Sequence, residues 1–424
     1  MQCVVHSAPF HGTNAAGWTP HAGASRTGYV GAKEESMAEL GSWTNAAQAG
    51  LDTDTGRGAV VPPIYLSTNY VFNDIGEPRD HDYSRAANPT RDVLANALTS
   101  LEGGAGAVPV ASGMAAVVLA IETLVPVGGR IVAPHDAYGG TWRLLTWWAE
   151  RGRVTVDYVD LTDLDAAAAA LSTPADLVWI ETPSNPLLRI TDIERVTELG
   201  HAAGASVVVD NTFCTPLLQQ PLSFGADAVA HSTTKFIAGH SDVVGGAVVA
   251  ATPELQEQLT GWAKTLGLTS GAMDSYLTMR GLRSLDARLR VHAANAEAVI
   301  DAFDGHPVVE ALHYPGLPDH PDYQLAQQQM RTPGSMVTVE LRGGEPTVRR
   351  FLEGLKVFHL AESLGGTESL VCHPATMTHG AMSPEAQKAA GITPGMLRFS
   401  VGLEGVDDLV TVIAEALERA ELAL

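Results

Sequence analysis

Four stretches of this sequence put residues suited to cofactor chemistry at or just behind short apolar runs. SVVVD, at 206–210, ends in Asp210, and DAVAHSTTK, at 227–235, runs out into Lys235. ETPSNP, at 181–186, follows another apolar run and holds Asn185 in a turn flanked by prolines. SGMAA, at 112–116, joins a glycine to the start of an apolar helix. A lysine whose amine is partly deprotonated by its surroundings can form a Schiff base with an aldehyde. A carboxylate set against a pyridine nitrogen keeps that nitrogen protonated and makes the ring an electron sink. Backbone N–H groups at a helix N-terminus, here after Gly113, receive a phosphate. Ser232 and Thr234, just before the lysine, can donate hydroxyls to the same group. Tyr138, in DAYGGT, offers a flat ring for stacking. Singly, each has an ordinary structural explanation: a turn aspartate, a solvated lysine, a glycine at a helix start, a half-buried tyrosine. Together, and in this order, they describe a site for pyridoxal phosphate.

Such a site needs a frame on which strand ends converge, and an open α/β sheet supplies one. Apolar runs recur at 130–134 (RIVAP), 154–159 (VTVDYV), 177–181 (LVWIE), 206–210, 227–232 and 242–250 (DVVGGAVVA), with helix-forming segments between several of them. Runs apolar on both faces, alternating with helices, argue a mostly parallel sheet covered on both sides. Before them, Val93, Leu94, Ala97, Leu98 and Leu101 form one helical face, with Thr90 as the expected cap. Beyond about residue 290 long helices dominate, and the last carries Leu409, Ile413, Leu417, Ala420 and Leu424 on one stripe. These shifts divide the chain into a disordered extension (1–45), a proline- and aromatic-containing arm that docks on something (46–88), a cofactor-binding domain (89–293) and a C-terminal domain (294–424).

Composition narrows the partners. Of 424 residues, 26 are Lys or Arg and 48 are Asp or Glu, a net charge of −22. A surface that acidic repels nucleic-acid phosphates and anionic lipid, although local cations and helix ends still admit small anions. Cys3, Cys214 and Cys372 lie far apart, which supports neither a disulfide framework nor a metal site. No apolar run reaches the roughly 18 residues of a membrane span, and the first 25 residues lack the features of a signal peptide. The expectation is a cytoplasmic, metal-free enzyme. A dinucleotide-binding fold is disfavoured, because Gly104-Ala105-Gly106 follows a helix and runs into Pro109. A His240-Ser241-Asp242 hydrolase is disfavoured because adjacent side chains do not converge into a relay. A non-catalytic α/β binding protein would not need Lys235, Asp210, Tyr138 and Arg398 together.

From about residue 52 to 422 the chain resembles the Cys/Met-metabolism family of pyridoxal-phosphate enzymes. HDYSRAANPTRDVL, LEGGAGAV, SGMAA, APHDAYGGTWRL, ETPSNPLLR, VVDNTF, HSTTKFIAGHSDVVGG, LAESLGGTESL, HPATMTH and RFSVGLE carry the likeness. The resemblance implies fold type I of these enzymes, α/β with a mostly parallel sheet in a large domain and a smaller α+β C-terminal domain. It implies that Lys235 holds pyridoxal 5'-phosphate and moves protons, and that Asp210 pairs the ring nitrogen. Asn185 lies near the ring oxygen or the substrate. Ser112, Gly113, Met114, Ser232 and Thr234 take the phosphate, while Tyr83 and Arg85 reach the phosphate of a neighbouring subunit, so that a dimer is the minimum and a tetramer of two dimers the usual assembly. Tyr138 stacks on the ring and helps deprotonate the incoming amine. Arg398, with Ser363 nearby, holds the substrate α-carboxylate, and Arg143 a distal carboxylate.

The implied reaction is γ-replacement in methionine biosynthesis, in which L-cysteine displaces the acyl group of an O-acylhomoserine, O-succinyl before O-acetyl, to give cystathionine. Cleavage of cystathionine to cysteine and 2-oxobutyrate, and sulfhydrylation of O-acylhomoserine, are the alternatives within the family. Glu362, in LAESLGG, stands where members that make or γ-cleave cystathionine carry a Glu, and Gly140 stands where methionine-cleaving members place a Cys. Lys264 departs from the neutral polar residue usual in cystathionine-forming members, which puts the acyl preference in question.

Overall fold

The computed structural model describes residues 41–424, so most of the expected extension, 1–40, lies outside the described residues. The remainder of that stretch is ordered: a short helix, Ser42–Ala47, starts inside it. Its Ala46 is buried and Trp43 packs on the same core cluster, an apolar anchor too short to show as periodicity.

Seven strands form the larger sheet in the order β1-β7-β6-β5-β4-β2-β3. They are β1 (Gly106–Val110), β2 (Gly129–Pro134), β3 (Val154–Val159), β4 (Leu177–Glu181), β5 (Ser206–Asp210), β6 (Ala228–His231) and β7 (Gly246–Ala250). The five from β6 to β3 pair in parallel, and β7 is antiparallel to both β6 and β1. Two reversals return β1 to the common direction, so the ends of β1, β2, β4, β5 and β6 open on one side. The mostly parallel sheet read from the apolar runs is what the chain builds.

β1 escapes the hydrophobic pattern because Pro109 interrupts it. The strand lies at the sheet edge, where a residue without an N–H is tolerated. β7 is shorter than the run DVVGGAVVA: residues 242–245 leave the sheet, and Gly246 brings its backbone so close to the Ser112 carbonyl that a Cβ would collide. The helix Pro89–Glu102 is capped by Asn88, whose side chain accepts from the N–H groups of Thr90 (3.0 Å) and Arg91 (3.3 Å). Thr90 is therefore not the cap. Its hydroxyl instead accepts from Tyr65 N–H at 2.8 Å and donates to the Pro63 carbonyl at 3.3 Å, which ties the preceding arm to the helix.

That arm is irregular through most of 51–87. It leaves Leu66, Val71 and Ile75 exposed, the last at 98%. Five strands form the second sheet, in the order β10-β11-β12-β9-β8: β8 (Val309–His313), β9 (Met336–Leu341), β10 (His359–Leu360), β11 (Leu370–Cys372) and β12 (Met396–Ser400). Residue 293 falls inside one continuous helix, Leu285–Phe303. The final helix, Val406–Glu421, buries Leu409, Ile413, Leu417 and Ala420 as expected. Leu424 lies past its end and is 62% exposed, so it does not extend the stripe. Among the described residues no helix is long and apolar enough to cross a membrane.

Candidate active site

The strand ends and the second sheet enclose a cavity of about 400 Å³. At one end the helix Gly113–Leu124 points its N-terminus into it. Ser112 caps that helix by accepting from Ala115 N–H at 3.0 Å. The N–H groups of Gly113 and Met114 precede the first helical hydrogen bond and keep their donors for a ligand. Gly113 is required here, since a Cβ would lie 2.7 Å from Cβ of Ser232. Ser232 lines the cavity, and among the described residues its hydroxyl has no partner. Thr234 also lines it, with Oγ1 already joined to both backbone groups of Gly245, at 2.9 and 3.1 Å. Uncapped helix N–H groups with hydroxyls beside them suit a phosphate.

Asp210, at the end of β5, accepts from Thr212 N–H at 3.0 Å with one oxygen. Its register partner on β4 is Glu181, so two carboxyls sit side by side in the cavity wall. Burial raises the pKa of both, and Asp210 adds to the rise at Glu181. Two neighbouring carboxyls, Glu181 buried and Asp210 partly so, call for a cation beside them, and a protonated ring nitrogen is such a cation. Lys235 extends from the turn after β6, with Nζ donating to Ser363 Oγ at 2.8 Å. Burial first, then Arg398, brings its pKa down to about 8. These features fit pyridoxal phosphate: anion donors at one end, a carboxylate at the other, and a partly neutral primary amine between them.

Across the cavity, Arg398 of β12 is 2% exposed. Nη1 donates to Asn185 Oδ1 at 2.6 Å and Nη2 to the Ser363 carbonyl at 3.1 Å. Nε is buried without a partner, and among the described residues the guanidinium has no carboxylate within ion-pair distance. A buried cation left this way is a receptor for an anion. Ser363 adopts a left-handed φ of 88°, a conformation that costs free energy in a non-glycine residue and here presents both its carbonyl and its hydroxyl to the site.

Glu362 and Arg143 line the outer part, both exposed, and neither makes an ion pair among the described residues. Tyr138 stands at the mouth, 41% exposed. Burial, then Glu362, raises its hydroxyl pKa, while Arg143 and Arg398 pull it down.

The cavity thus gathers Ser112, Gly113, Met114, Tyr138, Arg143, Asn185, Asp210, Ser232, Thr234, Lys235, Glu362, Ser363 and Arg398. It does not include Tyr83 or Arg85. Those two pair with each other, the guanidinium 5.7 Å from the ring centroid, and Arg85 donates to the Lys264 carbonyl at 2.6 Å, so Lys264 is outside this site as well.

Glu181 and Thr212 were not singled out in the sequence. Thr212 Oγ1 accepts from Ser232 N–H at 2.8 Å, linking the turn after β5 to the turn carrying Ser232. Both stand inside ETPSNP and VVDNTF, but only strand register shows which way they face.

Comparison with known proteins agrees with this geometry. The model of the family described as "Cys/Met metabolism PLP-dependent enzyme" matches residues 43–418. The chain is 48% identical over 377 residues to cystathionine gamma-synthase of Escherichia coli K12, covering 89% of this chain and 98% of that one. It is 41% identical over 376 residues to cystathionine beta-lyase of Lactococcus lactis subsp. cremoris MG1363, again covering 89% and 98%. A crystal structure of cystathionine gamma synthase from Xanthomonas oryzae pv. oryzae in complex with cystathionine superposes with a TM-score of 0.90 at 53% identity, covering 91% of this chain and all of that one.

Proposed function

The chain belongs to the Cys/Met-metabolism family of pyridoxal-phosphate-dependent enzymes, and we propose that it joins the thiol of L-cysteine to Cγ of an O-acylhomoserine, giving cystathionine and the free acid. The observation that carries this reading is the arrangement of charge around the cavity: a buried cation, Arg398, and an exposed cation and anion, Arg143 and Glu362, all without ion pairs among the described residues. An amino acid with a second, distal carboxylate matches the two cations, and the ammonium of incoming cysteine matches Glu362. The likeness to a cystathionine gamma-synthase at 48% identity points the same way.

When bound, pyridoxal phosphate supplies an aldehyde for the substrate amine and an electron sink through its protonated ring nitrogen. Asp210 would hold the proton on that nitrogen, and Gly113, Met114, Ser232 and Thr234 would hold the phosphate. Arg398 takes the substrate α-carboxylate, with Asn185 and Ser363 fixing the guanidinium from either side. The Lys235 amine, with a pKa of about 8, is basic enough to accept a proton and neutral often enough to do so. It takes the proton from Cα, gives that proton up to become neutral again, and then takes one from Cβ, whose electron pair expels the γ-acyloxy group as a carboxylate. After cysteine thiolate adds at Cγ, Lys235 returns the protons. Tyr138, which lines the same cavity, would stack on the ring. Its raised pKa makes it a phenol at neutral pH, so its share in deprotonating the incoming amine depends on the two arginines near it.

Arg143 carries the preference for O-succinyl over O-acetyl donors. In Arg143→Ala, KM for O-succinylhomoserine is expected to rise about tenfold, with KM for O-acetylhomoserine and kcat nearly unchanged, as for loss of one partly exposed charge-assisted contact. Equal rises for both donors would contradict this role. The same reading makes the enzyme a cytoplasmic homotetramer built from dimers, in which Tyr83 and Arg85 reach a neighbour's cavity. Its supports are the exposed apolar arm and the unpaired Cys214 and Cys372.

A further inference from the structure

Glu181 lines the cavity but has no task in the chemistry above. It ends β4, is 6% exposed, and uses both oxygens. Oε1 accepts from the indole N–H of Trp179 at 3.0 Å, and Oε2 accepts from the backbone N–H of Tyr138 at 2.6 Å. Trp179 is fully buried two residues earlier on the same strand, so the carboxyl is mounted rigidly on the sheet. Its other end grips the chain immediately before the helix Gly139–Glu150, which no side chain of its own first turn caps.

The Tyr138 ring needs such an anchor. Among the described residues its hydroxyl has no hydrogen-bond partner, and 41% of the residue is exposed. The ring lies over Gly140, where an added Cβ would be 2.5 Å from ring carbon Cε1, and the same Cβ would be 2.9 Å from Sδ of Met114. A ring seated over a glycine, with no hydrogen bond from its hydroxyl among the described residues, holds its place only if its main chain is fixed. We propose that Glu181 is a positioning residue that holds the Tyr138 ring in its stacking place by clamping the Tyr138 backbone N–H to the sheet. The inference rests on the stacking role proposed for Tyr138.

The test is a double-mutant cycle read by cofactor affinity and by the visible circular dichroism of the bound cofactor. Glu181→Met keeps shape without an acceptor, and Glu181→Gln keeps one acceptor oxygen. Each is made in the native and the Tyr138→Ala background, with far-UV circular dichroism and thermal unfolding as the check on folding. Glu181→Met is expected to weaken pyridoxal-phosphate binding about tenfold and to reduce the visible dichroism, and Glu181→Gln to weaken it no more than about threefold. In the Tyr138→Ala background both effects are expected to vanish.

Undiminished effects of Glu181→Met in that background would overturn the clamp while leaving the stacking of Tyr138 intact. If Tyr138→Ala alone changed neither affinity nor dichroism, the stacking role would fail first, and the clamp with it. Should Glu181→Met not fold, the inference stands on Glu181→Gln. Its smaller loss must still disappear when Tyr138 is removed, and persistence of that loss would overturn the clamp.

Discussion

Lys235→Ala is expected to lower kcat/KM for γ-replacement by about 10⁴-fold or more, the upper end of what one positioned proton-transfer group contributes. Among the described residues no other amine lines the cavity, so none of them substitutes for Nζ. The phosphate cradle is untouched, and the variant should still bind pyridoxal phosphate. Borohydride, however, should no longer fix the cofactor to the chain. The native lysine also sets a pH dependence with a definite sign. Burial and Arg398 place its pKa at about 8, below the usual lysine range, and only the neutral amine reacts with an aldehyde. The rate at which cofactor-free protein captures pyridoxal phosphate should therefore rise with pH through about 8 and level off above it. Stopped-flow absorbance checks this, and a rate indifferent to pH would show that the amine is already neutral.

Arg398→Ala should be the next most damaging change. It removes a guanidinium that is 2% exposed and whose Nε has no partner among the described residues. Truncating one side of a buried charge pair costs about 2–5 kcal/mol, or roughly thirtyfold to several thousandfold in kcat/KM. Most of that loss should fall on KM, because Arg398 holds the substrate in ground and transition states alike. Arg398→Lys should recover little, since an ammonium cannot reach Asn185 Oδ1, the Ser363 carbonyl and a carboxylate in one plane. Steady-state kinetics on both variants decide the matter. A fall in kcat with KM unchanged would move Arg398 out of the carboxylate-binding role.

Much of this site could be read before any coordinates, because parallel strands buried on both faces announce themselves as apolar runs. SVVVD and LVWIE have the bounds of β5 and β4, and the polar residues that follow them are the ones that converge. What the sequence hid depends on three-dimensional neighbours. β1 is broken by Pro109 and is allowed only because it lies at an edge. Asn88 takes the capping role expected of Thr90, because Pro89 occupies the first helical position and Thr90 is engaged with the arm. Glu181 reads in the sequence only as the polar end of LVWIE, and it takes strand register to set it opposite Asp210 and hydrogen bonding to join it to Tyr138. Tyr83 and Arg85 were assigned to the site by family likeness. In this chain they lie outside the cavity, paired with each other and with the Lys264 carbonyl.

The most direct test of the account is a product assay by mass spectrometry on purified protein supplied with pyridoxal phosphate. One sample receives O-succinylhomoserine and L-cysteine, and a parallel sample receives cystathionine alone. The charge arrangement around Arg398, Arg143 and Glu362 predicts cystathionine and succinate in the first and almost no turnover in the second. Rapid release of a 2-oxo acid from the second sample, with little cystathionine in the first, would contradict the account and make the enzyme a lyase.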